Sequence, residues 1–540
     1  MAEQNSSGKW SRRDMMKGLA GVPVVGAVFW AGAAKAAKQK ESRENILETL
    51  NINASPPPDT GPMSGDPVRL GIIGFGIRGP QLCRALGFAT KDWLQSMKEA
   101  ADKNPKDTRL SSFMEQENLN VQITAVCDLF DVRAQEAADS FSTDKVKVKI
   151  YKTHQELLKD PDVDAVVIAT ADHWHAPIAI AALEAGKHVY CEKPMTHNIA
   201  ETYALKDAVA RAGKVFQVGH QHRQTQSFVT AKDVINKKIL GHVSLVTAST
   251  NRNSDNGAWQ YHIHEKANPN TVDWQQFLGG IAPDIPWNAE HFFRWRKWWS
   301  YGSGLSGDLM VHDYDRINCV LNMGIPKSVT ASGGIYTHRD GRTVPDVMQI
   351  NLEFPNFSTG SSQEAGKEKG MTMVYSATLG NSYGRKTLLM GHDATMELGN
   401  DLVLYADSNS TRFKDMLESG QVTSDVPLYR YDPSANAVDG ITSATSKYFA
   451  DKGLLYTYRN GRRVDSTHLH MREWLSGIRN GTPVSCGIQE GFDEVMTAHM
   501  GGLSYKLGRR IEFDHAKMEI VPVDGYDLDE VLVAEMDALV

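Results

Sequence analysis

Short apolar runs alternate with helical stretches from residue 68 onward. Val68–Ile73 is a run typical of a buried strand, and Val121–Asp128, Asp164–Thr170 and His188–Cys191 have the same character. A helical segment, Ala176–Ala185, lies between the last two. Strands that alternate with helices at this spacing predict an α/β fold with a doubly wound parallel sheet. In such sheets ligands bind beyond the carboxyl ends of the strands.

A glycine-rich turn follows the first strand directly. Gly-Phe-Gly-Ile-Arg-Gly at 74–79 opens a helical pattern, which is the context in which this motif binds a dinucleotide pyrophosphate. The second strand ends in Asp128, whose carboxylate suits ribose hydroxyls and slightly favours NAD over NADP; a helix N-cap is the alternative role. The predicted cofactor-binding residues are Gly74, Gly76, Ile77, Arg78, Gly79, Asp128, Thr170, His175, Glu192 and Lys193.

The N-terminus has the order of an export signal. Ser11-Arg12-Arg13 resembles the twin-arginine motif, a weakly apolar stretch runs from Gly18 to Ala34, and Ala34-Lys35-Ala36 offers a cleavage site. We expect four segments: a twin-arginine signal peptide at 1–36, a linker at 37–66, an NAD(P)-binding Rossmann domain at 67–218 and a C-terminal substrate and oligomerisation domain at 219–540. The protein is therefore expected to be exported, with the signal cleaved or kept as an anchor.

Composition narrows the range of functions. The 540 residues carry a formal net charge of −7 with both signs dispersed, which argues against a nucleic-acid partner. The five cysteines contain no CxxC pair, so neither a zinc site nor a disulfide framework is expected. His262, His264 and Glu265 have a spacing common in loops, and we predict no metal site there.

Four local patterns resemble the Gfo/Idh/MocA family of oxidoreductases. They are residues 74–79, Ala169–His175, Gly186–Pro194 with its Glu-Lys-Pro end, and Gly307–Asp315. The resemblance implies a Rossmann domain followed by an α/β domain with a large, mostly antiparallel open sheet, which in this family often forms a homo-oligomer interface. Two regions, Phe88–Asn120 and Ser361–Asp451, are longer than usual, and the first is expected to be helical.

The resemblance also implies the catalytic residues Lys193, Asp308 and His312. A histidine has an unperturbed pKa of about 6.5, so His312 could exchange a proton with a substrate hydroxyl. Asp308 lies four residues earlier, and on one helix it would share a face with His312 and could orient the imidazole or bind a hydroxyl. Lys193 could stabilise a developing alkoxide. Each residue also has a structural alternative: a buried histidine, a helix cap and a solvent lysine.

The segment Trp287–Tyr301 is rich in aromatic residues. Aromatic rings suit the C–H faces of a sugar, although they could equally cap the sheet. The predicted substrate-binding residues are His220, Arg223, Arg294, Trp295, Asp308 and His312.

These features predict an exported NAD(P)-dependent oxidoreductase that acts on a sugar or polyol hydroxyl. Its partners would be a small carbohydrate and the twin-arginine export machinery. Nicotinamide cofactors are scarce outside the cell, so we expect one to be tightly bound and recycled within the enzyme. An NAD-assisted glycoside hydrolase and a non-catalytic sugar or nucleotide sensor are the alternatives.

Overall fold

The computed structural model describes residues 50–52, 61–105, 107–254, 257–280, 282–357, 359, 369–431, 456–459 and 462–535. The predicted signal peptide at 1–36 and most of the predicted linker at 37–66 lie outside these residues. Within the described ranges, no helix combines the length and the hydropathy needed to cross a membrane.

Six parallel strands form the first sheet, in the order β3-β2-β1-β4-β5-β6. This is the strand order of dinucleotide-binding Rossmann folds, so the predicted doubly wound sheet is confirmed. The strands are β1 (Val68–Ile73), β2 (Val121–Cys127), β3 (Lys149–Tyr151), β4 (Ala165–Ile168), β5 (His188–Cys191) and β6 (Phe216–Val218).

Helices cover both faces of this sheet because its strands are apolar on both sides. Two of them, α2 and α3, lie in the Phe88–Asn120 insertion, which is helical as expected. The helices are α1 (Arg78–Ala85), α2 (Lys91–Lys103), α3 (Arg109–Met114), α4 (Asp131–Phe141), α5 (His154–Leu158), α6 (His175–Glu184) and α7 (Ile199–Ala212).

The second sheet has ten strands in the order β14-β13-β12-β11-β7-β10-β9-β8-β17-β18. The pair β7 and β10 is parallel and the other pairs are antiparallel, which confirms the large, mostly antiparallel sheet. The strands are β7 (Val243–Asn251), β8 (Ser328–Gly334), β9 (Val347–Phe354), β10 (Met371–Thr378), β11 (Thr387–Gly391), β12 (Ala394–Leu398), β13 (Leu402–Ala406), β14 (Tyr429–Tyr431), β17 (Ile511–Asp514) and β18 (Glu519–Ile520).

Alternating side chains bury one face of this sheet. Along β10, Met371, Met373, Tyr375 and Ala377 are buried, while the residues between them are partly exposed. Much of the long Ser361–Asp451 region is therefore sheet; its residues 361–368 and 432–451 lie outside the described ranges. A short hairpin of β15 (Tyr456–Arg459) and β16 (Arg462–Asp465) follows.

Eight α-helices belong to the described part of the second half. They are α8 (Gln226–Asn236), α9 (Trp274–Leu278), α10 (Ala289–Phe293), α11 (Val311–Leu321), α12 (Lys414–Glu418), α13 (Ser466–Asn480), α14 (Ile488–Leu507) and α15 (Leu528–Val533). Three of them, α8, α11 and α14, contact strands of the large sheet.

Helix α13 belongs to the Rossmann core although it lies late in the chain. Its Met471, Trp474 and Leu475 share one buried cluster with Leu70 and Ile72 of β1. A domain boundary at residue 218 therefore does not separate the two cores, because the core of the first sheet includes α13, which lies after that boundary.

We expect Trp474→Ala to lower the free energy of unfolding by about 3–5 kcal/mol, since the indole is fully buried against the Tyr190 ring with centroids 5.7 Å apart. Guanidinium unfolding, with Trp474→Phe as the control that keeps an aromatic ring, measures this. A loss below about 1 kcal/mol would show that α13 contributes little to the core.

Candidate active site

A cavity of about 620 Å³ opens beyond the carboxyl ends of the Rossmann strands. Its wall combines the glycine turn, the ends of β4 and β5, and residues from the second half of the chain. The predicted site residues on this wall are Gly74, Gly76, Ile77, Arg78, Asp128, Thr170, His175, Glu192, Lys193, Trp295, Asp308 and His312. Lys193 and His312 thus lie in the same cavity as the glycine turn.

The glycine turn is shaped for a close ligand. A Cβ added at Gly79 would lie 2.3 Å from the Gly74 carbonyl oxygen, so this glycine lets α1 pack against the turn. A Cβ at Gly76 would first meet the Arg133 guanidinium, at 3.5 Å, which leaves the backbone free for a pyrophosphate to approach. These residues fit a dinucleotide.

Asp128 braces this turn. Its carboxylate accepts hydrogen bonds from the backbone N–H of Phe75 at 2.6 Å and of Phe130 at 2.8 Å. Helix α4 begins after Phe130, so Asp128 is not its N-cap. The carboxylate also faces the cavity, where it is available to a ribose.

An ion pair joins the glycine turn to the end of β5. Arg78 Nε donates to Glu192 Oε1 at 2.8 Å, and Gln221 Nε2 donates to the same oxygen at 3.1 Å. Burial alone would raise the pKa of Glu192, but Arg78 lowers it, so this carboxyl is ionised. His175 contacts the carbonyl oxygens of Pro194 at 2.7 Å and Thr170 at 3.2 Å, which ties the ends of β4 and β5 together.

Lys193 meets Asp308 on the wall of the cavity. Lys193 Nζ donates to the Asp308 backbone oxygen at 2.7 Å and to its Oδ1 at 3.1 Å. Arg296 Nε donates to the same Oδ1 at 3.1 Å. Burial would raise the pKa of Asp308, but the two cations hold it well below its usual range. Asp308 is therefore an anion that fixes an ammonium and a guanidinium.

Asp308 and His312 do not lie on one regular helix. Residues Ser306–Met310 form a π-helical turn that continues into α11, and such turns are frequent at functional sites. The Asp308 carboxylate binds Lys193 and Arg296, and among the described residues the buried Nδ1 of His312 has no hydrogen-bond partner. The expectation that Asp308 orients the imidazole is therefore corrected.

His312 has cationic and aromatic neighbours. The rings of His220 and His222 each lie 5.8 Å from it, centroid to centroid. Burial, then Lys193 and His222, lower the pKa of His312 well below its ordinary value. The imidazole is therefore neutral at physiological pH and has a lone pair to offer a hydroxyl.

Three predicted substrate contacts lie elsewhere. His220 pairs with Glu494 through Nε2, and its Nδ1 is 3.6 Å from Asp315. Arg223 Nε donates to Asp315 Oδ1 at 2.8 Å. Arg294 donates to the Tyr261 carbonyl at 3.0 Å and to Glu290 at 2.9 Å. Because these partners hold them away from the cavity wall, the expectation for all three is corrected.

The group formed by His220, Asp315 and Glu494 is fully buried behind His312. Its ligand-type atoms lie within 4.8 Å of one another, close enough to hold a cation. The Arg223 guanidinium already binds Asp315. Burial would lower the pKa of His220, but Asp315 and Glu494 raise it, which favours an imidazolium between the two carboxyl groups. Burial also raises the pKa of Glu494. The Arg223 guanidinium thus already offsets negative charge that would otherwise attract a cation.

The aromatic segment Trp287–Tyr301 contains residues with each of the two expected roles, packing and lining the cavity. Trp298, Trp299 and Tyr301 are buried and serve packing, whereas Trp295 and Phe293 line the cavity. Polar cavity residues outside the predicted site include Gln221, His222, Arg252, Arg296 and Arg316. Gln221 and His222 adjoin His220, and Arg296 follows Trp295. The sequence therefore indicates the segments that reach the cavity, but not which of their side chains line it. Arg252 lies in no recognisable sequence motif, so the sequence gives no sign that it reaches the cavity.

The sequence and the fold both resemble known dehydrogenases. Residues 68–220 match the Gfo/Idh/MocA family, described as an oxidoreductase family with an NAD-binding Rossmann fold. The levoglucosan dehydrogenase of Pseudarthrobacter phenanthrenivorans is 29% identical over 235 residues, which are 40% of this chain and 53% of that protein. The inositol 2-dehydrogenase of Salmonella paratyphi B is 34% identical over 127 residues, 23% of this chain and 37% of that protein.

The chain therefore aligns with 53% and 37% of the length of these two relatives. A solved structure of levoglucosan dehydrogenase in complex with NADH and levoglucosan superposes with a TM-score of 0.53 at 19% identity, covering 83% of this chain and 99% of that one. At this identity the similarity establishes the fold.

We expect Gly79→Ala and Gly76→Ala to separate folding from dinucleotide binding. Gly79→Ala forces the turn to shift, so the Tm of the cofactor-free protein should fall by more than about 4 °C and NAD binding should be lost. Gly76→Ala has room in the free protein and should keep its Tm, but its methyl group obstructs the pyrophosphate. Thermal melts and NAD titrations measure both. Wild-type NAD affinity in both variants would contradict the assignment of the turn.

We expect the His312 ring to stay neutral at pH 6, because its lowered pKa leaves it unprotonated at a pH where a free histidine is mostly charged. Long-range proton–nitrogen NMR, with His312→Gln to assign the signal, follows the titration. A midpoint at or above pH 6.5 would overturn this electrostatic description of the cavity.

Proposed function

We propose that this protein, whose residues 68–220 match the NAD-binding Rossmann fold of the Gfo/Idh/MocA oxidoreductases, oxidises or reduces a secondary hydroxyl of a sugar or polyol. The observation that carries the proposal is the single cavity that holds Lys193, Asp308 and His312 beside the glycine turn. The similarity to dehydrogenases of levoglucosan and inositol supports a polyhydroxylated substrate.

The chemistry follows from the charges on the cavity wall. A bound nicotinamide would supply the hydride acceptor. Lys193, held by Asp308, lines the cavity and would stabilise negative charge on the substrate oxygen with its ammonium group. The neutral ring of His312 accepts the hydroxyl proton. Trp295 and Phe293 offer apolar surface to the sugar ring.

The cofactor assignment rests on Asp128. A carboxylate at this position binds ribose hydroxyls and repels a 2′-phosphate, which favours NAD. Arg133 lies beside it, with its guanidinium 5.7 Å from the Phe130 ring and 5.0 Å from the Phe293 ring, and a cation there would tolerate NADP. We therefore propose NAD as the preferred cofactor, with NADP as a slower one.

Export and a retained cofactor extend the proposal. Arg12-Arg13 and Ala34-Lys35-Ala36 support transport by the twin-arginine route. An exported enzyme without a supply of free nicotinamide would keep its cofactor through both half-reactions and exchange hydride between two sugars. Mass spectrometry of the native protein from the cell exterior tests the processed terminus and the bound nucleotide together. Full-length protein free of nucleotide in the cytoplasm would contradict this extension.

We expect Lys193→Met and His312→Gln each to lower kcat/KM for sugar oxidation by about 10²-fold or more, since each removes charge stabilisation or proton transfer. Nicotinamide absorbance across a panel of sugars measures it. Lys214→Met, outside the cavity, is the control. Near wild-type activity in either cavity variant would rule out its role.

Two further measurements distinguish the alternatives. Cleavage of an aryl glycoside that stops after borohydride treatment would indicate NAD-assisted hydrolysis. Tight sugar binding without turnover of any kind would indicate a sensor.

A further inference from the structure

Three arginines from different elements line the cavity on the side of Asp308. Arg252 follows β7, Arg296 lies in a short 3-10 helix at Trp295–Lys297, and Arg316 is on α11. Each comes from the second half of the chain. They are therefore separate from the glycine turn, where the phosphates of a dinucleotide would bind.

The carboxylates near these arginines and Lys193 do not neutralise all of their positive charge. Arg316 pairs with Asp313 at 2.6 Å. Asp308 is shared by Lys193 and Arg296, and Asp172 on the same wall acts electrostatically on Arg296. Lys193 and the three arginines thus face the carboxylates Asp313, Asp308 and Asp172. Glu192 also acts on Lys193 but is paired with Arg78, so one positive charge remains in excess.

Of these four cations, Arg252 is the one without an ion-pair partner among the described residues. Among the described residues its guanidinium makes no hydrogen bond or ion pair, although Asp308 is close enough for the arginine to lower its pKa. Arg296 donates to Asp308 through Nε, and its terminal nitrogens have no acceptor in the described part of the chain. Several strong donors therefore face the cavity.

Arg296 is held in place by stacking. Its guanidinium carbon lies 4.1 Å from the centroid of the Trp295 ring, and Asp308 fixes its Nε. A guanidinium with a fixed plane presents two parallel N–H groups, which match the two oxygens of a carboxylate or phosphate. A neutral hydroxyl would use only one of them and leave the excess charge in place.

We propose that the substrate is an anionic sugar, whose carboxylate or phosphate is bound by Arg252 and Arg296 while Lys193 and His312 act on a nearby hydroxyl. This inference rests on the proposed function, because it assigns the substrate class of the same cavity. The two anions share one recognition chemistry, and separate arms of the test distinguish them.

The test compares hexuronates and hexose 6-phosphates with their neutral parent hexoses. We expect kcat/KM to be at least about tenfold higher for one anionic class. The KM of that class should rise when the ionic strength increases from 0.02 to 0.5 M, because salt screens the attraction between the anion and the arginines. The screening length is about 10 Å at 0.1 M and shorter at higher salt. Arg252→Gln should lower the ratio of anionic to neutral kcat/KM about tenfold. Arg430→Gln, which removes an exposed arginine from β14, is the matched control and should leave the ratio unchanged.

Binding measurements keep the two proposals separable. Calorimetry with gluconate and with inorganic phosphate, on the holoenzyme and on Arg252→Gln, needs no turnover. If no sugar reacts but Arg252→Gln abolishes the binding of one anion, the anion site stands and the proposed oxidoreductase function fails. If neutral sugars react as well as anionic ones and Arg252→Gln leaves both the ratio and anion binding unchanged, the anionic substrate is overturned and the proposed function stands.

Discussion

The contact between Lys193 and Asp308 is the constraint on which the cavity depends. It joins the end of a Rossmann strand to the π-helical turn of the second sheet's domain, through both the backbone oxygen and the carboxylate of Asp308. A buried ion pair is costly to desolvate, and it persists where further hydrogen bonds satisfy both partners. Here Arg296 supplies one of them. The pair therefore sets the distance between the two halves of the wall.

Local sequence patterns were sufficient for the first domain. A glycine turn between an apolar strand and a helix is encoded within a dozen residues, so β1 and Gly74–Gly79 could be predicted directly. The large sheet was expected only through the family resemblance, because the pairs that join its hairpins into one sheet, β7 with β10 and β8 with β17, lie far apart in the chain. The roles of Lys193, Asp308 and His312 also came from that resemblance, and the structure brings them to one cavity.

Local sequence patterns did not predict the side-chain contacts that depend on the tertiary fold. His220 looked like a substrate contact, but Glu494, far along the chain, binds it in the interior. Arg252 follows an ordinary strand, and only the strand pairing brings it to the cavity. The four-residue spacing of Asp308 and His312 suggested a shared helical face, which the π-helical turn alters. Such outcomes depend on tertiary contacts that a sequence window does not contain.

Helix α13 delays the completion of the first domain during synthesis. The Rossmann sheet is complete at residue 218, yet its core is closed by Trp474 on α13. A ribosome must therefore make nearly the whole chain before the first domain can finish packing. Until then the apolar side chains of β1 and β5 that Trp474 covers, among them Leu70, Ile72 and Tyr190, stay exposed to water on the nascent chain.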